Sequence, residues 1–147
     1  MPTIDNFQPT LDQIQAAIQQ FATGDASAYK ACWSQADDVT ICGGWGAYER
    51  GWEQVGPRMD WAAARYRGGH TDFVPLAVGA SGDLAYTVWI EQGIARLEGL
   101  DEFRPIALRV THIYRCEENI WKIIHRHADA LIDKIATTAV LQTREQH

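Results

Sequence analysis

Two arginines and three histidines in the last third of the sequence are the residues whose types and spacing could do chemistry. Arg109 and Arg126 fall on strands that alternation predicts to be neighbours, so they can share one face of a sheet. Guanidiniums on the floor of a closed cavity are costly unless paired, and a ligand carboxylate or phosphate would satisfy them through forked hydrogen bonds. An internal salt bridge to Asp38 or Asp129 would do the same without a ligand. His125 and His127 form an H-x-H pair, and His112 can lie beside them on the neighbouring strand. Three imidazoles on one face could make an open zinc or iron site, although no carboxylate is fixed by spacing to complete it. Packing in a subunit interface accounts for them without a metal and is the preferred reading. If they faced a cavity, His112 or His125 would be the candidate acid or base, since imidazole titrates near neutrality. Asp37-Asp38, a carboxylate pair with Asp38 as a further acid/base candidate, sits at a helix-to-strand junction, where such residues cap and turn.

Composition limits what these residues can serve. With 147 residues, 46% hydrophobic and 22% charged, the sequence is that of one soluble domain (1–147) with a sizeable core. A formal charge of -6 disfavours nucleic acid and acidic membrane surfaces as partners. No apolar run reaches the length of a membrane span, and the start lacks a secretory pattern, so the expected location is cytoplasmic. Cys32, Cys42 and Cys116 have no C-x-x-C spacing and are expected as free thiols. Six tryptophans call for a core, an interface or a pocket wall.

The positioning elements follow from periodicity. Leu11, Ile14, Ala17, Ile18 and Phe21 predict a helix over 10–23, with Thr10 and Gln13 as a capping box and Gly24 as its stop. A short second helix carries Ala28, Tyr29, Cys32 and Trp33, and Val39 to Cys42 is a short strand. A third helix is predicted over 51–66 with Val55, Met59, Ala62, Ala63 and Tyr66 on one side; Pro57 must kink it or lie in its first turn. Period-two runs then predict strands at 73–78, 84–94, 106–115 and 120–128, joined by turns at 80–83, 97–102 and 117–119. The tail from 129 is mixed, with a frayed helix as one outcome. Helices grouped before strands mean an α+β fold whose curved sheet wraps around the helices, leaving a pocket.

These residues resemble a family. Gly24-Asp25, Trp33 and Ala-Asp-Asp-Val-Thr-Ile at 36–41 look like the opening of nuclear transport factor 2-like domains. Ser-Gly-Asp-Leu-Ala-Tyr at 81–86 resembles their middle hairpin. The segments 108–115 and 121–129 resemble their last one. The SnoaL-like and ketosteroid isomerase-like branch is most similar, and the end also resembles the association domain of calcium/calmodulin-dependent kinase II. The resemblance covers about residues 10–129 and implies a cone-shaped, cystatin-like fold. It does not carry the isomerase's chemistry. Its general base falls on Gly43, its oxyanion tyrosine on Ala17 and its second acid on Thr111, none of which can transfer the proton.

The same ungapped resemblance implies that Tyr86, Val88, Ile90, Arg109, Thr111, Ile113, Ile124 and Arg126 face inward. Trp89, His112, Tyr114, Trp121, His125 and His127 would then form an aromatic outer face that pairs two subunits. Hydrophobicity alone supports the reverse, because Leu108, Val110, Tyr114, Trp121 and Ile123 make the more apolar face. The resulting expectation is a homodimer whose pocket takes a small apolar or aromatic molecule with an acidic group and needs no cofactor. Arg109 and Arg126 would hold the anion, Tyr86 and Thr111 would add hydrogen bonds, and Val88, Ile124, Trp45 and Met59 would supply apolar wall, with Trp61 beside Met59. A cofactor-independent isomerase, cyclase or dehydratase, and an association module without a ligand, are the alternatives.

Overall fold

A computed structural model describes residues 7–141. Helices α1 (Gln8–Phe21), α2 (Ser27–Ala31) and α3 (Trp52–Ala63) pack against one face of a six-stranded sheet. The strands are β1 (Thr40–Cys42), β2 (Glu49–Arg50), β3 (Tyr66–Ser81), β4 (Leu84–Leu97), β5 (Arg104–Glu117) and β6 (Ile120–Ala130). They lie in the order β2-β1-β6-β5-β4-β3, antiparallel throughout except where β1 runs parallel to β6. This is the expected α+β architecture: a curved, unclosed sheet with the helices in its hollow. No helix among the described residues is long and apolar enough to cross a membrane.

Local chemistry moves several boundaries. α1 starts at Gln8 behind Phe7, with Pro9 in its first turn and no side-chain cap. Proline there needs no N–H and presets φ, so Thr10 lies inside the turn and the expected capping box does not form. Pro57 sits within α3, which ends at Ala63, and Tyr66 already belongs to β3. Gly68 and Gly69, which punctuate the sequence like a loop, are part of that strand. A Cβ built on Gly69 would stand 2.7 Å from the Ile94 carbonyl oxygen, and one on Gly93 would overlap the His70 carbonyl. Glycine is what lets β3 and β4 approach here. Glu118 (φ 52°) and Asn119 (φ 66°) both take the left-handed region between β5 and β6, as a two-residue hairpin turn requires. Beyond β6 the tail holds only a 3-10 turn at Thr137–Val140 rather than a helix, and 142–147 lie outside the described residues.

The core fixes which sheet face is inside. Ala85, Thr87, Trp89 and Glu91 of β4 and Val110, His112 and Tyr114 of β5 are buried beneath the helices. Their neighbours Tyr86, Val88, Ile90, Arg109, Thr111 and Ile113 therefore point outward, the reverse of the family-based expectation. β6 explains how the two expectations became mixed. Ile113 pairs with His125 but Tyr114 pairs with Ile123, so Ile124 is an extra, bulged residue. Before the bulge Trp121 and Ile123 face inward; after it Arg126 and Ala128 do, while His125 and His127 face out.

Candidate functional site

Between the inner sheet face and the helices lies a cavity of about 200 Å³. Each surrounding element contributes because its apolar face is turned inward: Ile18 and Phe21 from α1, Met59 and Ala62 from α3, Ala95 from β4, Leu108 from β5. The loop after β1 adds Gly43, Gly44 and Trp45. Polar groups enter at the two ends.

At the deep end Arg126 and Glu91 form a forked pair. Nη1 donates to Oε2 at 2.9 Å and Nη2 to Oε1 at 3.0 Å, with side chains only 13% and 6% exposed. Burial opposes the guanidinium's charge, but Glu91 together with Tyr29 and Tyr66 outweighs it and raises Arg126 above its ordinary pKa. Trp89 donates its indole N–H to the same carboxylate at 2.9 Å. His112 stands next in the network, its Nε2 2.7 Å from the Tyr29 hydroxyl and 3.5 Å from Arg126 Nη1. Arginine can only donate, so Nε2 is the bare nitrogen and Tyr29 donates to it. The proton rests on Nδ1, which is buried without a partner among the described residues. Burial, then the charges of Arg126 and His125, push His112 well below its ordinary pKa and keep it neutral. Burial likewise raises the phenols of Tyr29 and Tyr66, both in the cavity wall.

The outer end is an aromatic collar. Trp45 meets Trp61 edge to face at 5.7 Å and Tyr66 at the same separation. Arg58, which also lines the cavity, lies over the Trp61 ring at 4.0 Å. Its nearest acid is Glu49, with Oε1 3.3 Å from Nε.

The expected site residues are thus divided. Arg126, Trp45 and Met59 line the cavity. Arg109, Thr111 and Val88 do not; they border a shallow groove on the outer face, because β4 and β5 present their other side inward. Tyr86 is exposed on that outer face, and Ile124 is the bulge residue. Arg109 is bound by Asp129 at 2.7 Å through both Nε and Nη2, so the internal salt bridge replaces the shared anion site. The hydrogen bonds from Arg109 depress the Asp129 carboxyl. Asp38, expected as an acid/base candidate, is held by Arg115 at 2.8 and 3.2 Å, tying the junction before β1 to β5. His125 faces out and shares a 2.7 Å hydrogen bond with Thr40. His112 points inward while His125 and His127 point outward, so the three imidazoles cannot converge on one ion. Among the described residues no three histidine, cysteine or acidic side chains do. All three cysteines are free thiols. Trp89, Tyr114 and Trp121, expected at a subunit interface, are core.

Glu91, Tyr29, Tyr66 and Arg58 were not anticipated. A lone glutamate inside the apolar run 84–94 is the signal that could have pointed to a buried pair. Of the three isomerase positions, Gly43 lines the cavity, Ala17 is core and Thr111 faces outward.

Residues 11–133 match the family pattern of the SnoaL-like domain. No curated protein matches the chain at a significant level. Among solved structures, a nuclear transport factor 2-like superfamily protein from Salmonella enterica serovar Typhimurium is 14% identical at TM-score 0.76, covering 90% of this chain and 94% of its own. A ketosteroid isomerase-like protein from Erwinia carotovora atroseptica is 17% identical at TM-score 0.68, with 86% and 99% covered. A protein from Thiobacillus denitrificans, proposed to be a calcium/calmodulin-dependent protein kinase type II association domain, is 20% identical at TM-score 0.68, with 84% and 93% covered. At such identities the likeness is one of fold.

Proposed function

The chain belongs to the SnoaL-like domain family, and from that footing we propose that it binds a small, mainly apolar molecule in the cavity between the helices and the inner sheet face. The observation that carries this reading is an apolar cavity whose deep end holds one buried, mutually neutralised ion pair. Apolar wall with a few fixed polar groups is the usual build of a small-molecule site. Because Arg126 is already matched by Glu91, and Arg109 is on the other face, the deep end suits an uncharged oxygen better than an acid. A ligand hydroxyl or carbonyl could accept from Arg126, and a hydroxyl could also donate to Glu91, without leaving a buried charge unpaired. The test is a fluorescence titration with 2-naphthol: the wild-type protein should bind it saturably, and Ala62→Phe, which fills the cavity, should abolish binding without lowering the melting temperature.

One observation favours a second reading, cofactor-independent isomerase, cyclase or dehydratase chemistry: Glu91 and Tyr29 both line the cavity. These groups, rather than Asp38 or an outward histidine, would move the proton. Glu91→Gln would then lose turnover while keeping the ligand. We also propose that the outer face pairs two copies. Val74, Leu76 and Tyr86 leave apolar surface uncovered there, so sedimentation should show a dimer that Leu76→Lys dissociates. An association module without a ligand is the outcome if no apolar probe binds.

A further inference from the structure

We propose that Arg58 is an anion site at the cavity rim, so that the ligand is an elongated molecule with a carboxylate at one end and an uncharged oxygen at the other. The inference rests on the pocket reading above and deepens it. The cavity is lined by two arginines, and they differ in how their donors are used. Arg126 spends two N–H groups on Glu91 in parallel and has a third nitrogen contact to His112. Arg58 donates no hydrogen bond among the described residues. Its single approach to Glu49, at 3.3 Å through Nε, is an ion contact outside hydrogen-bond geometry.

The Arg58 guanidinium is nonetheless held in place. Its Cζ lies over the Trp61 ring at 4.0 Å, a cation–π contact made while its N–H groups donate no hydrogen bond among the described residues. A carboxylate entering the mouth would find donors that no protein acceptor among the described residues takes up, and forked pairing with a carboxylate is what a guanidinium does best. Stacked arginine is also more weakly hydrated than lysine, so the cost of stripping its water is smaller. With a side chain 32% exposed, Arg58 is partly solvated at the rim, and Glu49 is its one ion-pair contact among the described residues. Trp45, which meets both Trp61 and Tyr66, lines the cavity with Tyr66 as flat rings. The occupant is therefore a flat apolar body: its acid stays at the rim and its neutral oxygen reaches Arg126 and Glu91.

The experiment compares 6-hydroxy-2-naphthoate with 2-naphthol, which lacks only the carboxylate, in wild type and Arg58→Met by fluorescence titration. Methionine keeps the aliphatic length against Trp61, and a thermal melt confirms the fold. We expect the carboxylate to improve binding about tenfold in the wild type, the worth of a charge-assisted hydrogen bond. Arg58→Met should erase that advantage and leave 2-naphthol unchanged, while Glu49→Gln should enlarge it. If the advantage survives in Arg58→Met, or if both probes weaken equally, the rim assignment is overturned and the pocket reading stands. If the wild type binds neither probe, the pocket reading fails and takes this inference with it.

Discussion

Arg126–Glu91 and Arg109–Asp129 are two forked arginine–carboxylate pairs on the same part of the sheet, alike in bonding and opposite in setting. The first has contacts of 2.9 and 3.0 Å, the second 2.7 Å twice. Yet the first pair is 13% and 6% exposed and the second 60% and 45%. Ion-pair geometry therefore says little about what each does. On the outer face, water and salt already satisfy both charges, and the pair adds little. On the inner face, neither charge could remain without the other, so the pair fixes the cavity floor as a neutral, polar unit. A residue's role here is decided by the face it occupies.

The sharpest way to break the comparison is to remove one member of each pair. Arg126→Met should cost roughly 3–5 kcal/mol in a urea melt, because the Glu91 carboxylate is left buried alone. Adding Glu91→Gln, which keeps an acceptor for the Trp89 indole, should restore most of that loss. If it does not, the pair acts through packing rather than charge. Next in size is a pH effect. His112 is depressed by burial and by Arg126, so below about pH 6.5 the unfolded chain takes up a proton that the folded protein refuses. Stability should fall with decreasing pH from there, with a slope of up to about 1.4 kcal/mol per pH unit. His125, depressed mainly by burial and by His127, adds a smaller contribution of the same sign. His112→Gln should flatten the slope. The lowered carboxylates Asp38 and Asp129 act only at more acidic pH, since their stabilisation is lost as they protonate. The smallest effect should come from Arg109→Met, which should leave the melting temperature nearly unchanged at physiological salt.

Much of the fold was legible because each element's signal is local. Helical spacing in Leu11–Phe21 and the turn at Glu117–Asn119 need no knowledge of the rest of the chain. The site was less legible, and Ile124 shows why. Within Ile120–Ile124 nothing marks which residue is extra, so a strict alternation carried from Arg126 back to Trp121 inverts the first half of β6. The ungapped family register then placed Thr111 where the inward residue is His112. The more apolar alternation of Val110 and Tyr114 pointed to the correct face, because burial is what selects it. Gly68 and Gly69 misled for a different reason: their signal is absence of a side chain, which serves a loop and a close strand contact alike. Glu91 and Arg126 lie on β4 and β6, and only the intervening β5 brings them face to face. No spacing encodes that meeting.

Binding at the inner face, as proposed, and binding in the outer groove touch different side chains. The direct measurement is NMR of the protein labelled at methionine methyls and tryptophan indoles, with 13C also placed in the leucine and valine methyls, during titration with 2-naphthol. Inner-face binding should give saturable shifts at the Met59 methyl and the Trp45 indole, with Leu76 and Val88 on the outer face unmoved. Shifts confined to Leu76 and Val88, with Met59 silent, would contradict it.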